Sequence, residues 1–286
     1  MTGWLKLLAA VVALLAIAAA ATVMVAGGRW RGHTEGVILE LRAAAATDAP
    51  VYDESMLCGL PPVVARYFAR TLRPGQPMVR SARLRQTGEF LASAGENGWR
   101  PFEATEFFTA LPPAFVWDAR ITMAPLLDVR VRDQYRRGEG RIQARLASLL
   151  TVMEAEPSPE LASGALMRYL AEAVWLPTAL LPANGVQWEA IDEARARATL
   201  ADGAVEVSLE FTFDDAGDVV AIYSPARFMK KGGDFVPTPW AGSFANHEAR
   251  GGMRVPLTGE VAWVLPSGRS PYWRGRIERI DYELAR

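Results

Sequence analysis

The stretch that most restricts the fold of this chain is "VEVSLEFTF", residues 205–213, preceded by "RARATL", residues 195–200, and the connector Ala201-Asp202-Gly203-Ala204. Side chains in a strand point alternately to opposite faces. An Asp-Gly pair suits a two-residue type I′ hairpin turn. That turn sets Leu200 opposite Val205, Ala198 opposite Val207, Ala196 opposite Leu209 and Ala194 opposite Phe211. On the other surface Thr199 meets Glu206, Arg197 meets Ser208 and Arg195 meets Glu210. One face is apolar and the other carries opposite charges, the mark of an antiparallel sheet with one wet side. A one-residue slip would exchange the faces, so the register is strongly specified. The apolar face sets small alanines against large Leu and Phe, which calls for either a closely packed helix or a cavity.

From about Met78 onward the same period recurs in "ATEFFTA", "AFVWDARI", "DVRVRDQY", "VVAIY", "EVAWVL" and "GRIERIDYEL". Turn-forming clusters such as "RGEG", "DDAGD" and "LPSGRSP" separate these runs. One helix interrupts them. Ser158-Pro159-Glu160 offers an N-cap, a first-turn proline and an early acid. At 100° per residue Arg168 and Glu172 form a narrow polar stripe, and Leu166, Met167, Tyr169, Leu170, Val174 and Leu176 cover most of the rest. A helix so apolar is buried, and Pro177 ends it. "LPPVVARYFARTL" starts a shorter helix with its prolines in the first turn. The segment 229–256, rich in Gly and Pro and containing Phe235 and Trp240, reads as a long loop, either a binding loop, a lid or disorder, and is the best candidate for a partner-binding surface.

Upstream lies an uncharged run from Leu7 to Ala26. As a helix it reaches roughly 30 Å, the thickness of the hydrocarbon layer. Trp4 and Trp30 flank it as interfacial aromatics do. A cleaved signal peptide is the alternative, although its apolar region is usually about 7–15 residues. Lys6 on one side and Arg29, Arg31 and Arg42 on the other do not decide the orientation by charge. The short basic N-terminus points to a single-pass anchor in an inner membrane with the rest extracytoplasmic. The expected organisation is an anchor or signal over 1–27, an Ala-rich stalk over 28–60 and one α+β domain over 61–286.

Composition removes several function classes. The formal net charge is −1, from 31 basic and 32 acidic residues, which speaks against a nucleic-acid partner. The chain has one cysteine and two histidines. Cys58 is expected as a free thiol, and lipidation would place a cysteine directly after the apolar run. Neither His33 nor His247 has the company that a zinc site needs, so no metal and no cofactor is expected. No G-x-S-x-G elbow, Walker A sequence or G-x-G-x-x-G fingerprint occurs.

The segments "PPVVARYFARTLRPGQP", "FVWDARI", "YLAEAVWLPTALLP" and "GVQWEAIDEARARATLADG" resemble the recurring segments of a large uncharacterised bacterial family that joins a short membrane segment to a domain of unknown function. The resemblance covers roughly residues 60–286 and implies no activity. The order of elements is also similar to the bacterial lipoprotein-carrier fold, in which helices plug the concave face of a curved sheet. Together these imply an α+β fold: an open antiparallel half-barrel packed on a long apolar helix, plus one N-terminal transmembrane helix.

The first functional expectation is membrane-tethered binding of a lipid or other apolar ligand, with Trp117, Asp133, Tyr135, Tyr169, Glu172, Trp175 and Trp188 as ligand-contacting residues. Val129, Val131, Asp133 and Tyr135 share one strand face, so Asp133 is an acid on an apolar surface. Glu172 either pairs with Arg168 along an exposed stripe or serves as a perturbed acid beside Trp175. Asp118 and Arg120 lie opposite Trp117 and read as a solvated surface. An enzyme with a buried acid at Asp133 or Glu172 is one alternative. An envelope protein-interaction module is another.

Overall fold

The computed structural model describes residues 2–93, 95 and 98–285. Thirteen strands form one antiparallel sheet in the order β6-β5-β4-β3-β2-β1-β13-β12-β11-β10-β9-β8-β7. They are β1 (Val79–Leu91), β2 (Trp99–Thr109), β3 (Ala114–Ala124), β4 (Leu127–Arg136), β5 (Glu139–Leu146), β6 (Leu150–Ala155), β7 (Gln187–Ala190), β8 (Arg195–Asp202), β9 (Val205–Phe213), β10 (Val219–Lys231), β11 (Asp234–Arg250), β12 (Met253–Leu265) and β13 (Gly268–Leu284). Helix α1 is Thr2–Ala44, α2 is Pro62–Thr71 and α3 is Pro159–Glu172.

The sheet is curved into an open half-barrel. Nine strand spacings separate β5 from β9 in the sheet order, which at about 4.8 Å each would put them roughly 43 Å apart if the sheet were flat. Yet α3 packs on both, so the two wings wrap around it. Its approach to β5 is close because position 140 is glycine. A Cβ there would come within 2.6 Å of the Leu161 carbonyl oxygen. The wings also touch directly. Tyr135 donates to Asp202 Oδ2 at 2.8 Å, and the Gly138 amide donates to the same oxygen at 3.2 Å.

The β8–β9 hairpin keeps the expected faces with different partners. Leu200 pairs with Val207, Ala198 with Leu209 and Ala196 with Phe211, a shift of two residues. Asp202 belongs to the ladder and the turn is Gly203-Ala204. Gly203 has φ +62° and Ala204 is not in the left-handed region, the pattern of a II′ turn with glycine first. A shift of two preserves the facing, so Ala196, Ala198, Leu209 and Phe211 are all buried. Helical packing accounts for the small alanines, since neither Ala196 nor Ala198 lines the main cavity.

The helix after Ser158 is shorter than its apolar pattern suggests. The Ser158 hydroxyl accepts from the Leu161 amide, α3 ends at Glu172, and short 3-10 turns carry Ala173–Trp175 and Pro177–Leu180. The expected loop over 229–256 is instead the strand pair β10–β11 with a two-residue Gly232-Gly233 turn, followed by β12. Its prolines are tolerated because 234–239 pair with β10 alone, and β12 joins only from Trp240. A missing N–H on a free edge breaks no ladder bond.

The expected stalk over 28–60 is mostly not a stalk. Helix α1 continues unbroken past the apolar run to Ala44. Trp30, Val37, Ile38, Leu41 and Ala45 are buried, and Val37, Ile38 and Leu41 pack against Phe107, Ala114 and Val116 on the convex side of the sheet. Counting only alanines hid this face, because its apolar residues fall at 30, 37, 38 and 41. Trp30 is therefore a packing residue rather than an interfacial flank. The run before it has the length and mean hydropathy of a membrane span, and none of that window is buried.

Candidate functional site

The concave side opens beside α3 into a cavity of about 450 Å³, within the usual range of small-molecule sites. Its wall is mainly apolar: Trp117, Ile121, Val129 and Val131 on one wing, Trp240, Phe244, Trp263 and Trp273 on the other. Val152 and Met153 of the edge strand β6 border it, and Trp175 borders it beyond the end of α3.

A charged cluster forms its floor, and the sheet register builds it. Glu106 of β2 pairs with Trp117 of β3, which pairs with Asp133 of β4, so the three lie in one row across the concave face. Arg168 reaches down from α3 onto that row. Its Nη2 donates to Glu106 Oε1 at 2.9 Å and its Nη1 to Asp133 Oδ2 at 2.8 Å. Its Nε donates to both oxygens of Glu172 at 3.1 Å. The guanidinium also lies over Phe115 and Trp117, 4.9 and 5.1 Å from the ring centres. Behind it Trp117 Nε1 donates to Gln86 Oε1 at 2.8 Å, and Gln86 Nε2 donates to Glu106 Oε2 at 2.7 Å.

Three carboxylates thus surround one cation. Glu106 is wholly buried. Burial, and then the neighbouring Glu172 charge, push its carboxyl well above the ordinary range against the opposing pull of Arg168. Burial also raises Glu172, although Arg168 opposes it. Burial works against the charge of Arg168, but the surrounding acids outweigh it and keep the guanidinium firmly protonated. Of the two glutamates, Glu106 is raised the further, so it is the acid of the cluster that most favours its protonated form. Glu172 and Asp133 border the cavity and Glu106 does not.

A second arginine lines the cavity in a different state. Arg227 of β10 donates to the Tyr272 hydroxyl and to the Gly164 carbonyl, each at 3.0 Å. It lies over Trp240 and Trp263 at 4.5 and 5.5 Å. Trp240 Nε1 donates to the same Tyr272 hydroxyl at 2.9 Å. Among the described residues no carboxylate pairs with Arg227, and its Nε is buried without a partner. Every group that holds it is neutral.

Of the seven residues expected to contact a ligand, Trp117, Asp133, Glu172 and Trp175 line the cavity. Trp175 is also structural: its Nε1 donates to the Pro256 carbonyl at 2.9 Å, and its own carbonyl accepts from the Tyr282 hydroxyl. The other three stand elsewhere. Tyr135 is buried against Asp202, where burial and that hydrogen bond raise its hydroxyl pKa. Tyr169 donates to the carbonyls of Thr109 and Ala110 in the core. Trp188 donates to the Leu180 carbonyl and packs on Phe211 and Phe213. Their aromatic character reflects packing with a satisfied polar tip. The Arg168–Glu172 pair exists, but its stripe is the cavity floor rather than an exposed surface.

Sequence reasoning passed over Glu106, Gln86 and Arg227. Glu106 was findable, because it is in phase with Phe102, Ala104 and Phe108 on an otherwise apolar face. Arg227 gave no such signal, since a bulge between Ser224 and Arg227 breaks the alternation of β10. Asp118 was misplaced: instead of facing water it accepts from Trp30 Nε1 at 3.0 Å and from the Thr34 hydroxyl of α1. Among the described residues no group of three or more His, Cys, Asp or Glu is arranged to hold a metal ion.

Comparison with known proteins supplies no activity. A LolA superfamily protein from Nitrosomonas europaea aligns at a TM-score of 0.40 with 9% identity, over 77% of this chain and 92% of its own. A beta-barrel-like protein of the domain of unknown function DUF1849 from Brucella abortus aligns at 0.21 with 12% identity, over 73% and 100%. No curated protein matches the sequence. Residues 58–282 match the profile described as "Family of unknown function (DUF6920)", and the chain belongs to that family.

Proposed function

We propose that this protein binds a lipid or another apolar ligand inside the half-barrel while tethered to a membrane by α1. The cavity carries this reading: about 450 Å³ of mainly aromatic and aliphatic wall, with few polar groups. Lone tryptophans have a packing explanation, but five that converge on one cavity, with Trp117, Trp175 and Trp240 held through their ring N–H groups, support a shaped apolar site. Arg227 is the natural contact for the ligand's polar end. It is a cation without a carboxylate, pre-oriented by two tryptophans and a tyrosine. In this reading Arg168 holds the floor rather than the ligand. The domain lies on the extracytoplasmic side of a bacterial inner membrane, with α1 as a retained single-pass anchor.

Native mass spectrometry of the full chain released from nanodiscs, with organic extraction of the same sample, tests the proposal. A reproducible bound mass is expected, and Val261→Trp, which fills the cavity from β12, is expected to abolish it in folded protein. A bare mass for the folded wild-type chain, with nothing extractable, would sink the reading.

A further inference from the structure

The course of α1 fixes which end of the half-barrel faces the bilayer. At its C-terminal end α1 meets the β2–β3 connection, where the Ala46 amide donates to the Leu111 carbonyl at 2.8 Å. At the other end Gly27 lies beside Ser148 in the β5–β6 turn. In an antiparallel meander the β3–β4 and β5–β6 turns share one end and the β2–β3 turn marks the opposite one. The apolar run of α1 therefore projects beyond the β3–β4 and β5–β6 turns.

Those two turns are unusually apolar. Leu126 is fully exposed and sits in the left-handed region at φ +63°. That conformation comes without strain to glycine and strains leucine. Leu150 is 65% exposed just past the neighbouring turn, and Ala147 and Ser148 in that turn are also left-handed. A groove runs between α1 and this turn, bordered by Val25, Ala26, Arg29, Arg145 and Leu149. Neither Arg29 nor Arg145 is in an ion pair among the described residues. Leucines placed outward on strained turns, with unpaired arginines behind them and an apolar helix alongside, match the profile of a membrane interface: hydrocarbon outermost, phosphates at the level of the cations.

We propose that the β3–β4 and β5–β6 turns dip into the leaflet from which α1 emerges, so that the cavity opens onto that leaflet. Met123 and Val129, which flank the β3–β4 turn, and Val152 and Met153, just past the other turn, all line the cavity. A lipid would enter sideways from the bilayer, tail first, without crossing water. This inference goes beyond ligand binding; it rests on the proposed placement of α1 in a membrane and needs nothing bound in the cavity.

The test uses the full chain with Cys58→Ser in vesicles of phosphatidylethanolamine and phosphatidylglycerol. Single cysteines carry an environment-sensitive fluorophore, and lipids spin-labelled near the top of the acyl chain, together with lipids labelled near its end, quench it. Leu126→Cys and Leu150→Cys are expected to lose most of their fluorescence, as Leu14→Cys does within the apolar run. Leu111→Cys, exposed at the opposite end, is expected to keep it. If positions 126 and 150 behave like 111 while 14 is quenched, the docking surface is overturned and the anchor stands. If 14 is unquenched, α1 is not in the bilayer and both ideas fall. Equal quenching at 111 would overturn the orientation.

Discussion

Trp117 and Asp118 are neighbours in β3, and they serve opposite faces of the sheet through the same combination of residues. On the concave face Trp117 stacks with Arg168, and the row of Glu106 and Asp133 receives that arginine. On the convex face Trp30 of α1 stacks with Arg132 at 4.1 Å, and Asp118 receives the Trp30 and Thr34 donors. Arg132 completes that site by donating to the Thr34 hydroxyl at 3.0 Å and the Trp30 carbonyl at 2.9 Å. The difference lies in the charge balance. The convex site has one acid, Asp118, and two bases, Arg132 and, farther over the Trp30 ring at 5.9 Å, Arg145, and it fastens a helix. The concave site has three acids to one base beside an open cavity. The convex site is a fastener, whereas on the concave side burial, together with the excess of acid, raises Glu106 and Glu172 above the ordinary carboxylate range.

The largest way to break this comparison is Arg168→Met. It leaves two or three acids uncompensated, and loss of a buried ionic partner costs about 3–5 kcal/mol. Chemical denaturation should show a loss on that scale, and an unaffected midpoint would mean that the acids are already neutral. Asp118→Ala comes next, at about 1–3 kcal/mol for stranded buried donors. Protease cleavage within residues 28–45 should rise while ligand retention in the cavity stays intact, which separates the two faces. Arg227→Gln should barely shift thermal unfolding but weaken an anionic amphiphile about tenfold, roughly 1.4 kcal/mol. Equal weakening of a neutral alkane-like probe would show that Arg227 contributes shape rather than charge.

Glu106→Gln has the smallest expected effect near neutrality and sharpens the comparison through pH. The folded chain holds this proton more tightly than the unfolded one, because burial raises the carboxyl. Its stabilising contribution is therefore complete below the ordinary glutamate range and is lost as pH rises through the raised folded value. Glutamine keeps the shape without titrating, so the variant should gain on wild type in alkaline unfolding experiments. Asp218 runs the other way. Burial alone would raise it, but hydrogen bonds from Arg254 and Arg70 outweigh that and hold it low. Its contribution is present above the ordinary aspartate range and is lost on acidification, and Asp218→Asn should flatten the acid limb.

The period-two pattern made the sheet legible, and it identified Trp117 and Asp133 as members of an inward face. It could not supply register, because Leu200 against Val205 and Leu200 against Val207 bury the same side chains. Nor could it say which inward residues meet the cavity. Tyr135 and Trp188 carry the same strand signature as Trp117, and Tyr169 has the matching apolar helical position, yet all three are covered by other parts of the core. Trp175 shows a further limit: it lines the cavity and also braces β12, so its truncation would lower stability and ligand retention together. The docked half of α1 was missed because its contacts are with β2 and β3, more than sixty residues away in the chain.

The strand order has a consequence for how the chain must assemble. Every neighbouring pair in the sheet is a local hairpin or its direct continuation except one, β1 against β13. Val79 there pairs with Leu284. During synthesis the wing from β1 to β6 can pair as it emerges, leaving β1 as an open edge until β13 follows roughly two hundred residues later. At ribosomal rates of about 5–20 residues per second, that edge stands unpaired for some tens of seconds at the slow limit. Arg80, Arg83 and Arg85 on β1 supply the charges that keep a waiting edge from pairing with another chain. Closing the sheet is thus the late, non-local step, and it joins the two wings that the cavity needs.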